Sequence, residues 1–455
     1  MANPSSAQNP FFGSVTARPL TDDAIRLSLD DAVRMGLENN LGLKEAENAE
    51  KAVRGEENIA LQEFLPTITV SGGTGIYEHN LVALGFGPSV IGKFAAFFPG
   101  GILPPGFSLI TRDDLTQGQI NFSQTLFSGP VIAGWRAAGA TVRSYHFAKM
   151  TARGNVVQAV ATAYLFAISS ASAVDDAKAL EAADQVQADQ AQAAYEAGTG
   201  SKLDALRARV QLQTQRQARI AAENAHERDL ILLRREIGLD SGQQITLTDP
   251  VPYGDLASET EQELLATAYK SRQDYQNMQN QLEEFRAVHA AYRSQRLPKL
   301  SFNGFWGVDT VNGAGTHGNF AAVGTLSVPI FKEARLRGDE DASAAQLANV
   351  RAQLDDLRVR IDQQVRDALL DVNATAKLVE VARSNVGLAR QALSDETERV
   401  AAGVDDTLPL VDAQATLAAA QNNLVGSLYR YNVAKLSLAR AVGVIETEYR
   451  EYLGH

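Results

Sequence analysis

Glu63-Phe64-Leu65-Pro66-Thr67-Ile68-Thr69-Val70 and Gln295-Arg296-Leu297-Pro298-Lys299-Leu300-Ser301-Phe302 carry the same signature: an apolar residue, a proline, then alternating side chains. Their prolines stand 232 positions apart. Ser123-Gln124-Thr125-Leu126-Phe127 returns as Ser327-Val328-Pro329-Ile330-Phe331, 204 positions on. Ala197-Gly198 with Leu203 returns as Ala402-Gly403 with Leu408, and Arg235-Glu236-Ile237-Gly238 as Arg440-Ala441-Val442-Gly443, both 205 positions on. One unit is therefore duplicated, and its internal repeat sets the architecture. The register breaks once, by 28 residues, between Pro66 and Phe127. The Gly/Pro-rich stretch Val82–Phe107 holds the insertion.

Each copy contains a helical seam. Leu347, Val350, Leu354, Leu357, Ile361, Val365, Ala368, Val372, Ala376, Val379, Ala382, Val386, Ala389 and Leu393 step by three or four, as coiled-coil seams do. Such a helix of ~65 residues would be ~100 Å long at about 1.5 Å per residue. Val156, Val160, Ala163, Ala167, Ala171 and Val174 form the weaker counterpart. Glycines end both helices, Gly198 and Gly403. New helix starts follow, at Ser201 three before Asp204 and at Asp405-Asp406-Thr407 before Leu408. Each copy is thus a long helical hairpin with a tight tip. The return seam of the second hairpin is expected at Leu408, Val411, Ala415, Ala418, Asn422, Val425 and Tyr429.

The other part of each copy alternates with period two. Ile68, Val70 and Ile76 oppose Thr69 and Ser71; Ile120, Phe122 and Leu126 oppose Gln117, Gln119, Asn121 and Ser123. Leu300, Phe302, Trp306 and Val308 oppose Ser301, Asn303 and Asp309; Phe320, Ala322, Leu326, Val328 and Ile330 oppose Asn319, Thr325 and Ser327. Strands of ~10 residues, apolar on one face, match a tilted bilayer crossing. Four strands cannot close, and an open edge in lipid leaves unpaired backbone groups. Chains must then pool strands, eight from two or twelve from three, with a polar lumen favouring the larger number.

The expected division is an N-terminal extended segment 1–26, a first repeat 27–240, a linker 241–258, a second repeat 259–443 and a tail 444–455. Within the first repeat the strands are expected at 66–77 and 115–127, the loop at 78–114, and the hairpin at 130–238 with its tip at 198–202. Within the second the strands fall at 299–309 and 319–331, and the hairpin at 333–443 with its tip at 402–407.

Composition removes other classes. The 455 residues include no cysteine, so disulfides, thiolate metal sites and cysteine nucleophiles are excluded. A net charge of −12 argues against nucleic-acid binding. No stretch reads as a membrane-spanning helix, since Val82–Phe107 is broken by glycines and prolines. Gly87-Pro88-Ser89-Val90-Ile91-Gly92-Lys93 has P-loop spacing, but Phe94 follows where a hydroxyl is needed; an apolar external loop is the better reading. The six histidines have no metal-ligand spacing, and Asp175-Asp176 and Asp355-Asp356 read as solvated helix faces. No catalytic constellation and no cofactor motif is present, so the chain is not expected to be an enzyme.

Taken together, the residues resemble the TolC-like outer membrane factors. The likeness rests on Leu29-Asp30-Asp31-Ala32-Val33 with Leu37-Glu38-Asn39-Asn40, and on Leu65-Pro66 and Leu297-Pro298 entering strands. Leu126-Phe127 and Ile330-Phe331 leave them. The tips are Tyr195-Glu196-Ala197-Gly198 with Ser201-Lys202-Leu203-Asp204, and Val400-Ala401-Ala402-Gly403 with Leu408-Pro409-Leu410-Val411-Asp412-Ala413. The similarity runs from Leu27 to Gly443.

The resemblance implies a mainly α fold with a β-barrel part: a homotrimer with a 12-helix α-barrel and a 12-stranded outer-membrane β-barrel, four strands per chain. It implies a mixed α/β belt from 241–258 and the chain ends. It further implies a passive exit duct of a tripartite efflux or type I secretion system. Its partners would be a periplasmic adaptor, an inner-membrane RND, ABC or MFS transporter, and outer membrane lipid. The family's acidic gate falls on Asp412 and Asp204. Asp405 stands where some relatives hold the closed state with an arginine. Adaptor-docking tips would comprise Gly198, Ser201, Lys202, Leu203, Gly403, Asp406 and Leu408. Export also requires a leader, which Met1-Ala2-Asn3-Pro4 does not resemble, so one is expected to have preceded this chain. Two other readings compete, a soluble coiled-coil scaffold with a β-cap and a secreted pore former.

Overall fold

A computed structural model describes residues 11, 13–15, 17–83, 85, 88–96, 110–249, 254, 256, 259–312, 315–402 and 407–454. In chain order the elements are β1 (Ile25–Leu27), α1 (Leu29–Asn39), α2 (Leu41–Gln62), β2 (Thr67–Asn80), α3 (Pro88–Ala95), β3 (Ile110–Phe127), α4 (Gly129–Glu196) and α5 (Lys202–Ile237). The second half follows with β4 (Ile245–Leu247), α6 (Glu261–Ser271), α7 (Gln273–Ser294), β5 (Lys299–Val311), β6 (Thr316–Ser327), α8 (Glu333–Ala401), α9 (Thr407–Val442) and α10 (Ile445–Leu453).

The duplication is visible in element lengths. α1 and α2 have 11 and 22 residues, as do α6 and α7. α4 and α5 have 68 and 36 residues, against 69 and 36 in α8 and α9. Two compact units nevertheless cut across the repeats. One comprises Met1–Val53, Thr141–Leu282 and Asn349–His455; the other comprises Arg54–Ala140 and Glu283–Ala348.

In the first unit β1 and β4 pair in parallel, Ile25 opposite Ile245. Tyr164 of α4 donates its hydroxyl to Leu27 O (2.9 Å) and to Asp249 (3.0 Å), and the Leu29 N–H donates to Asp249 at 2.7 Å. Helix starts are capped by Ser28, whose hydroxyl accepts from the Asp31 N–H, and by Thr260 in a reciprocal box with Glu263. A single extended residue breaks each short helix pair, Asn40 and its repeat counterpart Arg272, both buried. Arg272 donates to both oxygens of Asp274 (3.0 and 2.6 Å), to Gln364 (2.8 Å) and to Ala441 O (2.9 Å). Burial alone would raise Asp274; Arg272 and Arg440 hold it below the usual carboxylate range. Gly443, at φ 88°, lets the end of α9 approach Arg272, where a Cβ would lie 2.8 Å from its Cα.

The seam expected on α8 is its buried face, from Leu347 to Ala389. That on α9 is not the expected one. Leu410, Gln414, Leu417 and Ala420 are buried instead, with Leu417 and Ala420 packed on Val386 and Ala389 of α8. Alanines and leucines line two neighbouring stripes of α9, and periodicity alone selects the stripe through Val411, Ala415 and Ala418. Packing against α8 selects the other.

In the second unit the sheet order is β2-β3-β5-β6, all antiparallel. The strands are longer than expected, at 14, 18, 13 and 12 residues. β6 stops at Ser327 rather than 331, because Pro329 cannot supply a ladder donor. The segment between β2 and β3 is not only loop; it contains α3, beginning at Pro88, a residue suited to a first helical position. One helix also corrects the expectation of no apolar span. α4 contains an 18-residue window of mean hydropathy 1.5, sufficient by length and composition to cross a membrane, although 56% of that window is buried.

Candidate channel surfaces and hairpin tips

Register turns the alternation of the four strands into two continuous faces. Even-numbered residues align across the sheet: Ile68–Phe122–Gly304–Ala322 and Val70–Ile120–Trp306–Phe320 are unbroken rows. Val70 and Phe320 are each 79% exposed, so the row is bare in the single chain. At one end the band reaches Phe127–Leu300–Leu326, admitted by a bulge between Thr125 and Phe127. At the other it ends on a threonine belt, Thr74–Thr116–Thr310–Thr316, in which Thr116 donates to Thr74 (3.0 Å) and the Thr310 and Thr316 hydroxyls bond at 2.9 Å. From Leu300 to Thr310 the strand covers ~33 Å at about 3.3 Å per residue, or roughly 25 Å of height at a barrel tilt of about 40°. That is the height of a lipid-facing band.

The odd-numbered face is polar. Ser71–Gln119–Gly307–Asn319 is one row, and Thr69–Asn121–Phe305–Ala321 the next. Asn121 donates to Ser71 (3.1 Å) and Asn319 donates to Asp309. Phe305 and Val323 interrupt it, both passed over by the alternation. Near the strand starts a polar hollow of about 400 Å³ is lined by Gln62, Glu63, Ser123, Lys299, Ser301 and Asn303. Among the described residues nothing pairs with the outer edges of β2 and β6.

The first tip is built by glycines and a cap. Gly198 is left-handed (φ 75°), and the N–H groups of Thr199 and Gly200 return to Ala194 O at 2.9 Å, closing α4. A Cβ on Gly200 would meet Ala194 Cβ at 3.0 Å. Ser201 caps α5: its oxygen accepts from the Asp204 N–H (3.1 Å) and its hydroxyl donates to the Asp204 carboxylate (2.6 Å). Arg207 lies 3.7 Å from the same carboxylate. Asp204 is therefore engaged in helix-start chemistry. Lys202 and Leu203 are exposed on the first turn of α5. Gly403, Asp405 and Asp406 lie outside the described residues. Leu408 is in the first turn of α9, and Asp412 is exposed on that helix.

Between hairpin helices the structure adds polar groups that the seam pattern does not reveal. Asp184 of α4, only 2% exposed, occupies a seam position one turn before Ala188, which packs with Ala208 and Leu212 of α5. Neither carboxylate oxygen is hydrogen-bonded. Burial pushes Asp184 up to about 6, and Gln211, which approaches without completing a bond, offsets this in part. One turn earlier Glu181 pairs with Arg216 (3.3 Å) and Arg219 (2.5 Å). Gln414 of α9 donates to Gln187 of α4, joining the two hairpins. A polar residue spaced seven from Ala177 was the available signal for Asp184.

Histidines serve as local hydrogen-bond partners: His226 with Ser170 (3.0 Å) and His289 with Ser343 (2.9 Å). His455 lies outside the described residues. Among those described, no three acidic, histidine or cysteine side chains form a metal-binding group. Gly87 is likewise not described, and Pro88–Lys93 lies within α3, without the strand that a phosphate loop would follow. Asp355 and Asp356 are exposed, but Asp176 is half-buried facing Arg390, with burial raising its carboxyl above the usual range.

A family model described as outer membrane efflux protein matches residues 32–239 and 264–444. The outer membrane efflux protein BepC of Brucella suis is 28% identical over 138 residues, which span 30% of this chain and 30% of its own length. Among solved structures, a membrane protein from Pseudomonas aeruginosa superposes with TM-score 0.76 at 20% identity, covering 91% of this chain and 93% of that one. VceC from Vibrio cholerae gives 0.74 at 17% identity, covering 91% and 96%. The open-state MtrE channel of Neisseria gonorrhoeae gives 0.74 at 16%, covering 95% of each. At these identities the superpositions speak for the fold.

Proposed function

We propose, from the premise that this chain belongs to the outer membrane efflux protein family, that it is the passive exit duct of a tripartite efflux or type I secretion system. It is an outer membrane efflux channel of a Gram-negative envelope and not an enzyme. Three copies pool four strands each into one barrel. The observation that carries this reading is a sheet with one bare apolar face, one polar face and two unpaired edges. Lipid does not tolerate such edges, so pairing β6 of one copy with β2 of the next satisfies them. The odd-numbered face then lines the lumen.

The hairpins extend the duct through the periplasm. An adaptor protein docks on the tips, through Gly198, Ser201, Lys202, Leu203, Gly403, Asp406 and Leu408, and links to an RND, ABC or MFS transporter that supplies the energy. Asp412, exposed and beyond the first turn of α9, is the better gate residue. Asp204 contributes less because Ser201 and Arg207 already engage it. Asp405 completes the acidic tip. The stripe of α9 through Val411, Ala415 and Ala418, left free by α8, supports packing against a neighbouring copy. Extraction followed by mass photometry tests the assembly: a detergent-dependent particle of about 147 kDa, three times 48.9 kDa, is expected. Detergent-free solubility without channel activity would point to a scaffold. A soluble monomer that converts on membranes would point to a pore former.

A further inference from the structure

The duplication holds down to the register of the strands, and this determines how the two bare edges of the sheet meet a second copy. β2 pairs with β3 so that Thr67 stands opposite Ser123, and β5 pairs with β6 so that Lys299 stands opposite Ser327. These are equivalent pairs: 232 positions separate Thr67 from Lys299 and 204 separate Ser123 from Ser327, the repeat offsets of the sequence itself. Between the repeats β3 pairs with β5, Phe122 opposite Gly304 and Gln117 opposite Asp309. β3 is thus the outgoing border of the first repeat and β5 the incoming border of the second. Their counterparts are β6 and β2, whose outer edges have no neighbour among the described residues. In a closed ring of copies first and second repeats alternate, so the contact between copies repeats the contact within the chain. Carrying the β3–β5 pairs across by the same offsets sets Leu326 of β6 opposite Gly72 of the next copy's β2, Thr325 opposite Gly73, and Ala321 opposite Tyr77.

Side-chain size supplies an independent observation. In this register Gly72 and Gly73 meet Leu326 and Thr325, and Gly324 meets Thr74. The bulky Ile76 and Tyr77 meet Ala322 and Ala321, so a small residue faces a larger one throughout. Sliding β6 by two residues one way sets Gly72 on Gly324 and Ile76 on Phe320; sliding it two the other way sets Tyr77 on Val323 and Thr74 on Leu326. A slide of one sets even-numbered against odd-numbered residues and breaks both faces. A Cβ on Gly73 or on Gly324 would meet nothing within 4 Å, so both positions have room for a neighbour's side chain.

We propose that β6 takes β2 of a second copy of this chain in this one register, with Leu326, Thr325 and Ala321 opposite Gly72, Gly73 and Tyr77 of the next copy. The proposal rests on the pooled-barrel reading and specifies its interface residue by residue. The apolar even-numbered rows and the polar odd-numbered rows then continue across each junction, the second through Ser327 opposite Ser71 of the next copy.

The chain has no cysteine, so introduced thiols report the register directly. Gly73→Cys is combined in the full chain with Thr325→Cys, Val323→Cys or Ser327→Cys, and each detergent-extracted protein is oxidised with copper–phenanthroline and run on denaturing gels. Directly opposite residues of an antiparallel pair bring their Cβ atoms to about 4.5–5.5 Å, whereas diagonal neighbours stand about 7–8 Å apart, at the limit of disulfide reach. The Thr325 pair should link chains into species of two and three at least about fivefold faster than either other pair. Ala322→Cys with Ile76→Cys, on the opposite face, should link as well and gives a second reading if the Gly73 variants do not assemble. Faster linking through Val323 or Ser327 overturns the register while leaving the three-copy barrel standing. So does a three-copy particle in which no pair links. A single-chain particle without links overturns the pooled barrel together with the register.

Discussion

Replacing Asp184 by asparagine perturbs the seam of the first hairpin at a buried, unbonded carboxylate. The group sits at about 6 in the folded chain against an ordinary 3.8. An acid raised on folding binds protons more readily in the folded state. Its penalty is therefore absent below about pH 4, grows through the interval between the two values, and is complete above about pH 7. The full penalty is about 3 kcal/mol, and it falls to roughly half of that at about pH 5. Asparagine removes the charge but keeps a buried amide, so a net gain of about 2 kcal/mol near pH 7.5 is expected. Amide hydrogen exchange of the facing segments of α4 and α5, corrected for intrinsic exchange, reads this directly. The variant should be about thirtyfold better protected near pH 7.5, and native protection should itself rise about tenfold on going to pH 5. A pH-independent native profile, or a variant no better protected, would refute the assignment of Asp184 as an uncompensated charge.

Phe320→Arg places a charge in the apolar row and should cost about 2–4 kcal/mol in membrane stability, seen as a loss of heat-modifiable folded barrel on gels; Ser301→Arg on the odd face should be tolerated. Arg272→Met removes the two hydrogen bonds that Arg272 donates to the Asp274 carboxylate and should destabilise by about 3–5 kcal/mol, measured by thermal unfolding, and Lys at the same position should not restore the native midpoint because it cannot make the forked contact. Asp412→Asn should lower cation over anion selectivity by at least about twofold in planar bilayers; unchanged reversal potentials would remove Asp412 from the constriction.

What could be read from the chain beforehand follows the range of the forces involved. Strand faces depend on a period of two, so Ile68, Val70, Trp306 and Phe320 were legible as one surface. The glycine end at Gly198 was legible because backbone strain is local. Packing choices were not. The two stripes of α9 are chemically alike, and only contact with Val386 and Ala389 selects Leu417 over Ala418. The bulge before Phe127 was hidden because Leu126 and Phe127 are both apolar, so a slip of one leaves the pattern intact. The Gln187–Gln414 bond was invisible for a related reason, and Asp184 showed only as a polar residue at seam spacing: polarity marks a residue as external until the opposing helix is placed.

The two unpaired edges of the sheet bear on genetics as well as on architecture. A barrel closed by pooling has no partial success, because one unfit edge leaves a gap that the other chains cannot seal. A substitution that spoils only the β6 border would then be dominant. With three copies pooled as proposed, a cell expressing native and defective chains equally would hold about one wholly native trimer in eight. Heterozygous expression should thus lower efflux far below half, whereas a variant that cannot assemble at all would be recessive.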